Sequence, residues 1–173
     1  GNNKEYNNSL KRIVEEGSTV ALHTYTHDYA KVYASEEAYF DDLQKIFDMV
    51  KDVTGVESKV IRFPGGSSNT VSKKYCPGLM TKLTKAVQEK GFQYFDWNCD
   101  STDASGNHVA VDKLISNATS SSAQHINILM HDTAAKDTTV EALPKIIEHY
   151  KKQGYSFEAL TVDSYPVHHS VNN

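Results

Sequence analysis

Five apolar runs, beginning near residues 18, 59, 93, 125 and 156, recur along the chain with helix-like stretches between them. Their starts lie 41, 34, 32 and 31 residues apart, the length of a strand, a crossover helix and the loops that bring the chain back beside its first strand. Units of this kind build a parallel sheet covered by helices, which is how strands apolar on both faces are buried. The fold class is therefore α/β. An open sheet and a barrel satisfy the alternation equally well.

The stretches between the runs carry helical periodicity and stop signals. Leu10, Ile13 and Val14 recur at helical spacing from Ser9 and end at Gly17. Ser35-Glu36-Glu37 supplies a cap and first-turn acids for the next helix, with Phe40, Leu43, Phe47 and Val50 as its buried stripe and Gly55 as its stop. Leu79, Met80, Leu83 and Val87 mark a third helix ending at Gly91. Val111, Leu114, Ile115 and Ala118 mark a short fourth. Leu143, Ile146, Ile147 and Tyr150 mark a fifth, ending at Gly154. Strands are expected over 18–22, 59–63, 93–99, 125–130 and 156–160, and Gly1-Asn2-Asn3 reads as a loop.

A chain of 173 residues suits one domain with a real core. Its net charge of −4 gives no electrostatic reason to expect nucleic acid or an anionic membrane surface as partner. No apolar stretch approaches the ~20 residues of a membrane span, and no signal peptide is legible. Cys76 and Cys99 are compatible with a disulfide and with two free thiols, and nothing in the sequence sets the oligomeric state.

The chemistry concentrates after the strands. His23-Thr24-Tyr25-Thr26-His27 follows the first run, and two imidazoles at this spacing can converge on one cation from a helix face or from a tight turn. Arg62 and the Pro64-Gly65-Gly66 loop follow the second run, Asp100 and Asp103 the third, and His131-Asp132 the fourth. Taken alone, Arg62 reads better as a surface ion pair, Asp103 as a turn residue and His131 as a satisfied edge histidine. Parallel sheets, however, bind ligands at the carboxyl ends of their strands, and here four successive ends carry polar groups, so one common rim is expected.

On these residues the chain resembles the polysaccharide deacetylases of the NodB-homology type, carbohydrate esterase family 4. The family's H-[ST]-x-x-H motif matches His23 to His27. Its R-x-P-x-G motif matches Arg62-Phe63-Pro64-Gly65-Gly66. D-x-x-D-W matches Asp100-Ser101-Thr102-Asp103-Ala104, with Ala104 in place of Trp, and L-x-H matches Leu129-Met130-His131. The resemblance implies a distorted (β/α) barrel, here a single partial domain over 1–173 that lacks its N-terminal strands. The family's T-F-D-D-G motif, which supplies a metal-binding Asp and the general base, has no match in this sequence. Asp28 and Asp132 are the nearest stand-ins.

The implied activity is hydrolysis of N-acetyl groups from cell-wall or chitin-like polysaccharide, with peptidoglycan favoured. The alternative is a glycan-binding module or inactive fragment. The resemblance assigns His23 and His27 to a divalent ion, with zinc expected and cobalt or nickel compatible. It makes His131 the acid, because imidazole titrates near neutrality and a neighbouring carboxylate favours its charged form. Asp103 or Asp100, with Arg62, would hold the acid–base groups. Leu129 would line an acetyl pocket and backbone N–H groups of Pro64-Gly65-Gly66 would face the oxyanion, while Trp97, Tyr25 and Phe63 fit sugar-stacking and core positions equally well. An extracellular or cell-surface location follows from the substrate. Without the T-F-D-D-G carboxylates, these residues alone are expected to bind metal weakly and turn over little.

Overall fold

A computed structural model describes residues 3–173. Six α-helices and four short strands follow one another through them: α1 (Lys4–Glu15), α2 (Tyr29–Val32), α3 (Glu36–Thr54), β1 (Val60–Ile61), α4 (Leu79–Glu89), β2 (Gln93–Tyr94), β3 (Cys99–Asp100), α5 (Val111–Ala118), β4 (Ile128–Leu129) and α6 (Asp137–Lys152). They form two compact units. One runs to Asp96 and takes in Glu158–Asn173; the other is Trp97–Phe157.

In the first unit three extended segments lie parallel. Leu22 bridges Ile61, while β1 pairs β2 with Val60 opposite Gln93 and Ile61 opposite Tyr94. The connections pass through α2 and α3, then through α4, so each return to the sheet is a strand–helix–strand crossover. The core between sheet and helices is built from Leu22, Ile61, Phe63, Leu43, Val50, Met80, Leu83 and Val87. Phe63 packs with its ring centroid 5.3 Å from both Tyr39 and Tyr94. In the second unit β3 pairs β4 in parallel, Cys99 opposite Ile128 and Asp100 opposite Leu129. Leu114, Ala118, Ala142, Ile146 and Tyr150 of α5 and α6 pack together there, and the Tyr150 hydroxyl donates to the Ala118 carbonyl at 2.9 Å.

The caps account for the helix ends. Ser35 accepts from the Ala38 N–H at the start of α3, and Gly55, at φ 75°, ends it in the left-handed conformation that glycine adopts without a steric penalty. α1 begins earlier than its apolar spacing predicts, because the Asn3 side chain caps it by accepting from the Glu5 N–H. Gly1 and Asn2 of the expected opening loop lie outside the described residues.

The strands are shorter than expected. The run 18–22 reaches the sheet only at Leu22, and 93–99 divides into β2 and β3, which belong to different sheets. No ladder forms over 156–160: there the Leu160 carbonyl takes a hydroxyl bond from Thr19 at 2.6 Å instead of a strand partner's N–H. An extended, apolar sequence becomes a strand only where a neighbour presents its backbone edge.

Candidate active site

The first sheet ends at Leu22, and the chain turns at once. Leu22 donates its N–H to Val60 and accepts from Arg62, which sets His23 at the strand's carboxyl end. The two histidines meet across a tight turn rather than along a helix face. Their ring centroids are 5.0 Å apart, tilted by 59°. The turn uses left-handed backbone at two residues other than glycine, Thr24 (φ 65°) and His27 (φ 50°).

His23 Nδ1 lies 2.7 Å from the Arg62 carbonyl oxygen. A carbonyl only accepts, so Nδ1 carries a hydrogen, which in the neutral form of the ring leaves the lone pair on Nε2. That tautomer is the one a metal-ligating histidine adopts when its other nitrogen is fixed by a backbone oxygen. Thr24 Oγ1, between the two histidines in sequence, is buried without a hydrogen-bond partner among the described residues. The fixed His23 ring, the His27 ring 5.0 Å from it and an unpartnered hydroxyl fit a bound divalent ion. The fit stops at two protein ligands: among the described residues, no group of three or more His, Cys, Asp or Glu is arranged to hold a metal. Asp28 caps α2 by accepting from the Ala30 N–H and pairs with Lys31 at 3.3 Å. Its carboxylate is thus committed to the helix rather than to the histidines.

The loop after β1 is fixed from several sides. The Tyr33 hydroxyl donates to the Pro64 carbonyl at 2.8 Å, and Asn69 Nδ2 to the Gly66 carbonyl at 2.8 Å. Buried Asp96 accepts from both the N–H and the hydroxyl of Ser67 and from the His169 N–H. Gly65 has φ 74°, and a Cβ there would lie 2.9 Å from the Tyr29 hydroxyl oxygen. Of the three residues expected to donate to an oxyanion, Pro64 has no N–H and Gly66 already donates to the Phe63 carbonyl at 2.8 Å. Only the Gly65 N–H fits that expectation. Phe63 is wholly buried and belongs to the core, not to a sugar-stacking surface; Tyr25 is exposed and Trp97 half-buried.

In the second unit one carboxylate is committed to one imidazole. Asp103 accepts from the His131 N–H at 2.7 Å and lies 2.8 Å from its Nδ1. Thr139 adds a hydroxyl bond at 3.1 Å, and the Lys136 ammonium donates to the Asp103 and Gly106 carbonyls. Burial alone would raise the Asp103 carboxyl. The bonds from the His131 ring and backbone, the charge on that ring and the Thr139 hydroxyl outweigh it, holding the group below the usual carboxylate range. Asp100 is exposed and accepts from the Thr102 N–H in a local turn, so of the two aspartates Asp103 is the one that meets His131. Leu129 is half-buried on β4, two residues before His131, and Asp132 is exposed.

Sequence reasoning missed Asp42, Thr139 and Lys136. Asp42 is buried on α3 and accepts from the N–H groups of Tyr25 and Thr26 and from the Thr26 hydroxyl. It lies off the stripe Phe40, Leu43, Phe47 and Val50, and its partners belong to a distant turn, so periodicity gives no signal for it. Thr139 and Lys136 lie at the start of α6 and carry no signal either.

A parallel α/β fold with paired imidazoles at one strand end and a carboxylate-backed imidazole at another defines a class of proteins with ligand and acid–base groups at their strand ends. The polysaccharide deacetylase family pattern matches residues 1–79. The catalytic domain of peptidoglycan N-acetylglucosamine deacetylase from Eubacterium rectale superimposes with a TM-score of 0.92 at 41% identity, covering 98% of this chain and 77% of that one. A polysaccharide deacetylase from Bacillus cereus superimposes with a TM-score of 0.79 at 33% identity, covering 95% and 78%. A peptidoglycan-N-acetylglucosamine deacetylase of Bacillus cereus is 34% identical over 172 residues, 95% of this chain and 58% of that protein. The chain belongs to the polysaccharide deacetylase family, as a NodB-type domain of carbohydrate esterase family 4. It spans just over half the length of the curated relatives it matches. Among the described residues, no helix is long and apolar enough to cross a membrane.

Proposed function

We propose that the protein is a metal-dependent deacetylase that hydrolyses N-acetyl groups of cell-wall glycan, peptidoglycan first and chitin-like polymers second. In this reading the chain is one deacetylase domain of the distorted (β/α) barrel type, acting outside the cell or at its surface, where such glycan lies. The observation that carries it is the His23–His27 pair, with ring centroids 5.0 Å apart and the His23 Nδ1 hydrogen committed to the Arg62 carbonyl.

His23 and His27 are the residues that hold the ion, zinc in the first instance, with cobalt and nickel compatible with imidazole ligation. Bound there, it supplies Lewis-acid polarisation of the acetyl oxygen and acidification of the attacking water. The chain's own residues take the remaining tasks. His131 donates its Nε2 proton to the departing amine, while Asp103 holds the ring through Nδ1. Asp100, exposed and taken up by the Thr102 N–H, is the other candidate carboxylate for that task. Arg62, whose carbonyl fixes His23, is assigned by family membership to hold the acid–base groups. The Gly65 N–H serves the oxyanion in the loop formed with Pro64 and Gly66. Leu129 lines the acetyl pocket, and Trp97 and Tyr25 offer faces to the sugars. The carboxylate base of the family's T-F-D-D-G motif has no counterpart in the 173 residues, so turnover by them alone is expected to be slow.

A second reading, a glycan-binding domain without turnover, is favoured by one observation: among the described residues no third ligand joins the histidine pair. Acetate release from an N-acetylglucosamine oligomer, with Zn²⁺ or Co²⁺ added, separates the two. Metal-dependent release abolished by His23→Ala, His27→Ala and His131→Ala supports the deacetylase. Oligomer binding without any release, even from a version extended to carry a T-F-D-D-G-type strand, supports the second reading, and release that survives loss of both metal histidines overturns the first.

A further inference from the structure

The turn that carries the histidines is an improbable conformation for its sequence. Thr24 is β-branched, and a left-handed φ of 65° crowds its Cβ against the following backbone; His27 repeats the problem at 50°. Such residues persist only where the surroundings over-determine them. The over-determination comes from one side chain. Asp42 Oδ1 accepts from the Tyr25 N–H at 2.5 Å, and Oδ2 accepts from the Thr26 N–H at 3.2 Å and the Thr26 hydroxyl at 2.7 Å. All three donors belong to the residues between His23 and His27.

Asp42 contributes nothing comparable to its own helix. It sits well inside α3, whose N-terminus is capped by Ser35 and whose C-terminus is closed by Gly55. It is only 5% exposed, buried along with Tyr39, Leu43 and Val50. An apolar residue would suit that position, and a carboxylate is tolerated there only because donors satisfy its oxygens. Those donors are the turn's, so the requirement for Asp at this place originates in the histidine turn and not in the helix.

We propose that Asp42 is the positioning residue of the metal pair, holding the 23–27 turn so that both imidazoles face one divalent ion; this rests on the metal reading above. Outer partners that orient ligands are worth about 10–100-fold in metal affinity. The test is Zn²⁺ titration of the chain, followed by calorimetry and by the ring resonances of His23 and His27, with thermal midpoints measured alongside. Asp42→Asn keeps the size but turns a donor toward the turn's donors. Thr26→Val removes the hydroxyl's 2.7 Å bond to Asp42, together with the long 3.4 Å bond it accepts from the Asp28 N–H, and leaves Asp42 in place, so it decides the matter if Asp42→Asn does not fold. Expected for Asp42→Asn is affinity about 10–100-fold lower, with the two rings no longer shifting together. Thr26→Val is expected to fall between that and the parent, and Thr26→Ser to return to it. Parent-like affinity in both folded variants overturns the proposal while leaving the metal reading intact. A parent chain whose His23 and His27 resonances ignore Zn²⁺ overturns the metal reading, and this proposal with it.

Discussion

Asp103→Ala removes the carboxylate on which the second unit's imidazole depends, and the structure sets the cost. Three donors converge on that carboxylate: the His131 N–H at 2.7 Å, its ring at 2.8 Å and the Thr139 hydroxyl at 3.1 Å. Breaking a fully buried charged pair costs about 3–5 kcal/mol. The Asp103 side chain is 1% exposed but that of His131 is 35% exposed, so water recovers part of the ring's solvation and the expected loss is about 2–4 kcal/mol. For a chain of this size that lowers Tm by roughly 5–15 °C. The pH dependence is the sharper test. The native Asp103 carboxyl lies below its ordinary value, so its contribution is complete above the unfolded-state pKa of about 3.9 and is lost as pH falls through the native value. Urea unfolding of parent and variant at pH 7 and pH 3 measures this directly. The gap between them should be full at pH 7 and smaller at pH 3, below the unfolded-state value. A gap that stays constant or widens on acidification refutes the assignment of Asp103 as an ionised, hydrogen-bonded carboxylate.

Gly65→Ala brings a Cβ to 2.9 Å from the Tyr29 hydroxyl oxygen at a φ of 74°, and should lower stability by about 1–3 kcal/mol in thermal unfolding. Phe63→Ala should cost about 3–5 kcal/mol, because Phe63 fills the core against Tyr39 and Tyr94; a stability loss near zero would return it to the surface. Tyr25→Ala, at an exposed ring, should leave stability within about 0.5 kcal/mol and weaken binding of an N-acetylglucosamine oligomer measured by calorimetry.

What was legible in the sequence followed local rules. The α3 boundaries were written in Ser35 and Gly55, and the strand–helix alternation in the spacing of apolar runs. Finer features depended on tertiary partners. On α3 the expected stripe of Phe40, Leu43, Phe47 and Val50 does face the core, with Leu43 and Val50 buried and the two phenylalanines partly so; Tyr39 and Asp42 are buried beside it, Asp42 because its oxygens are satisfied by a distant turn that periodicity cannot see. The run 93–99 reads as one strand, yet its two halves pair with different neighbours. The HxxxH spacing permitted a helix or a turn, and only the left-handed Thr24 and His27 decide between them. Asp100 and Asp103 were equivalent on paper; the bonds to His131 and Thr139 separate them.

The central claim is that His23 and His27 share one divalent ion. Zn²⁺ titration of the chain, monitored by the ring ¹⁵N resonances of all eight histidines, tests it most directly. His23, through Nε2, and His27 are expected to shift together at one equivalent of metal while His108 and His149 stay unmoved. Zinc that shifts only one of the pair, or that shifts other histidines first, contradicts it.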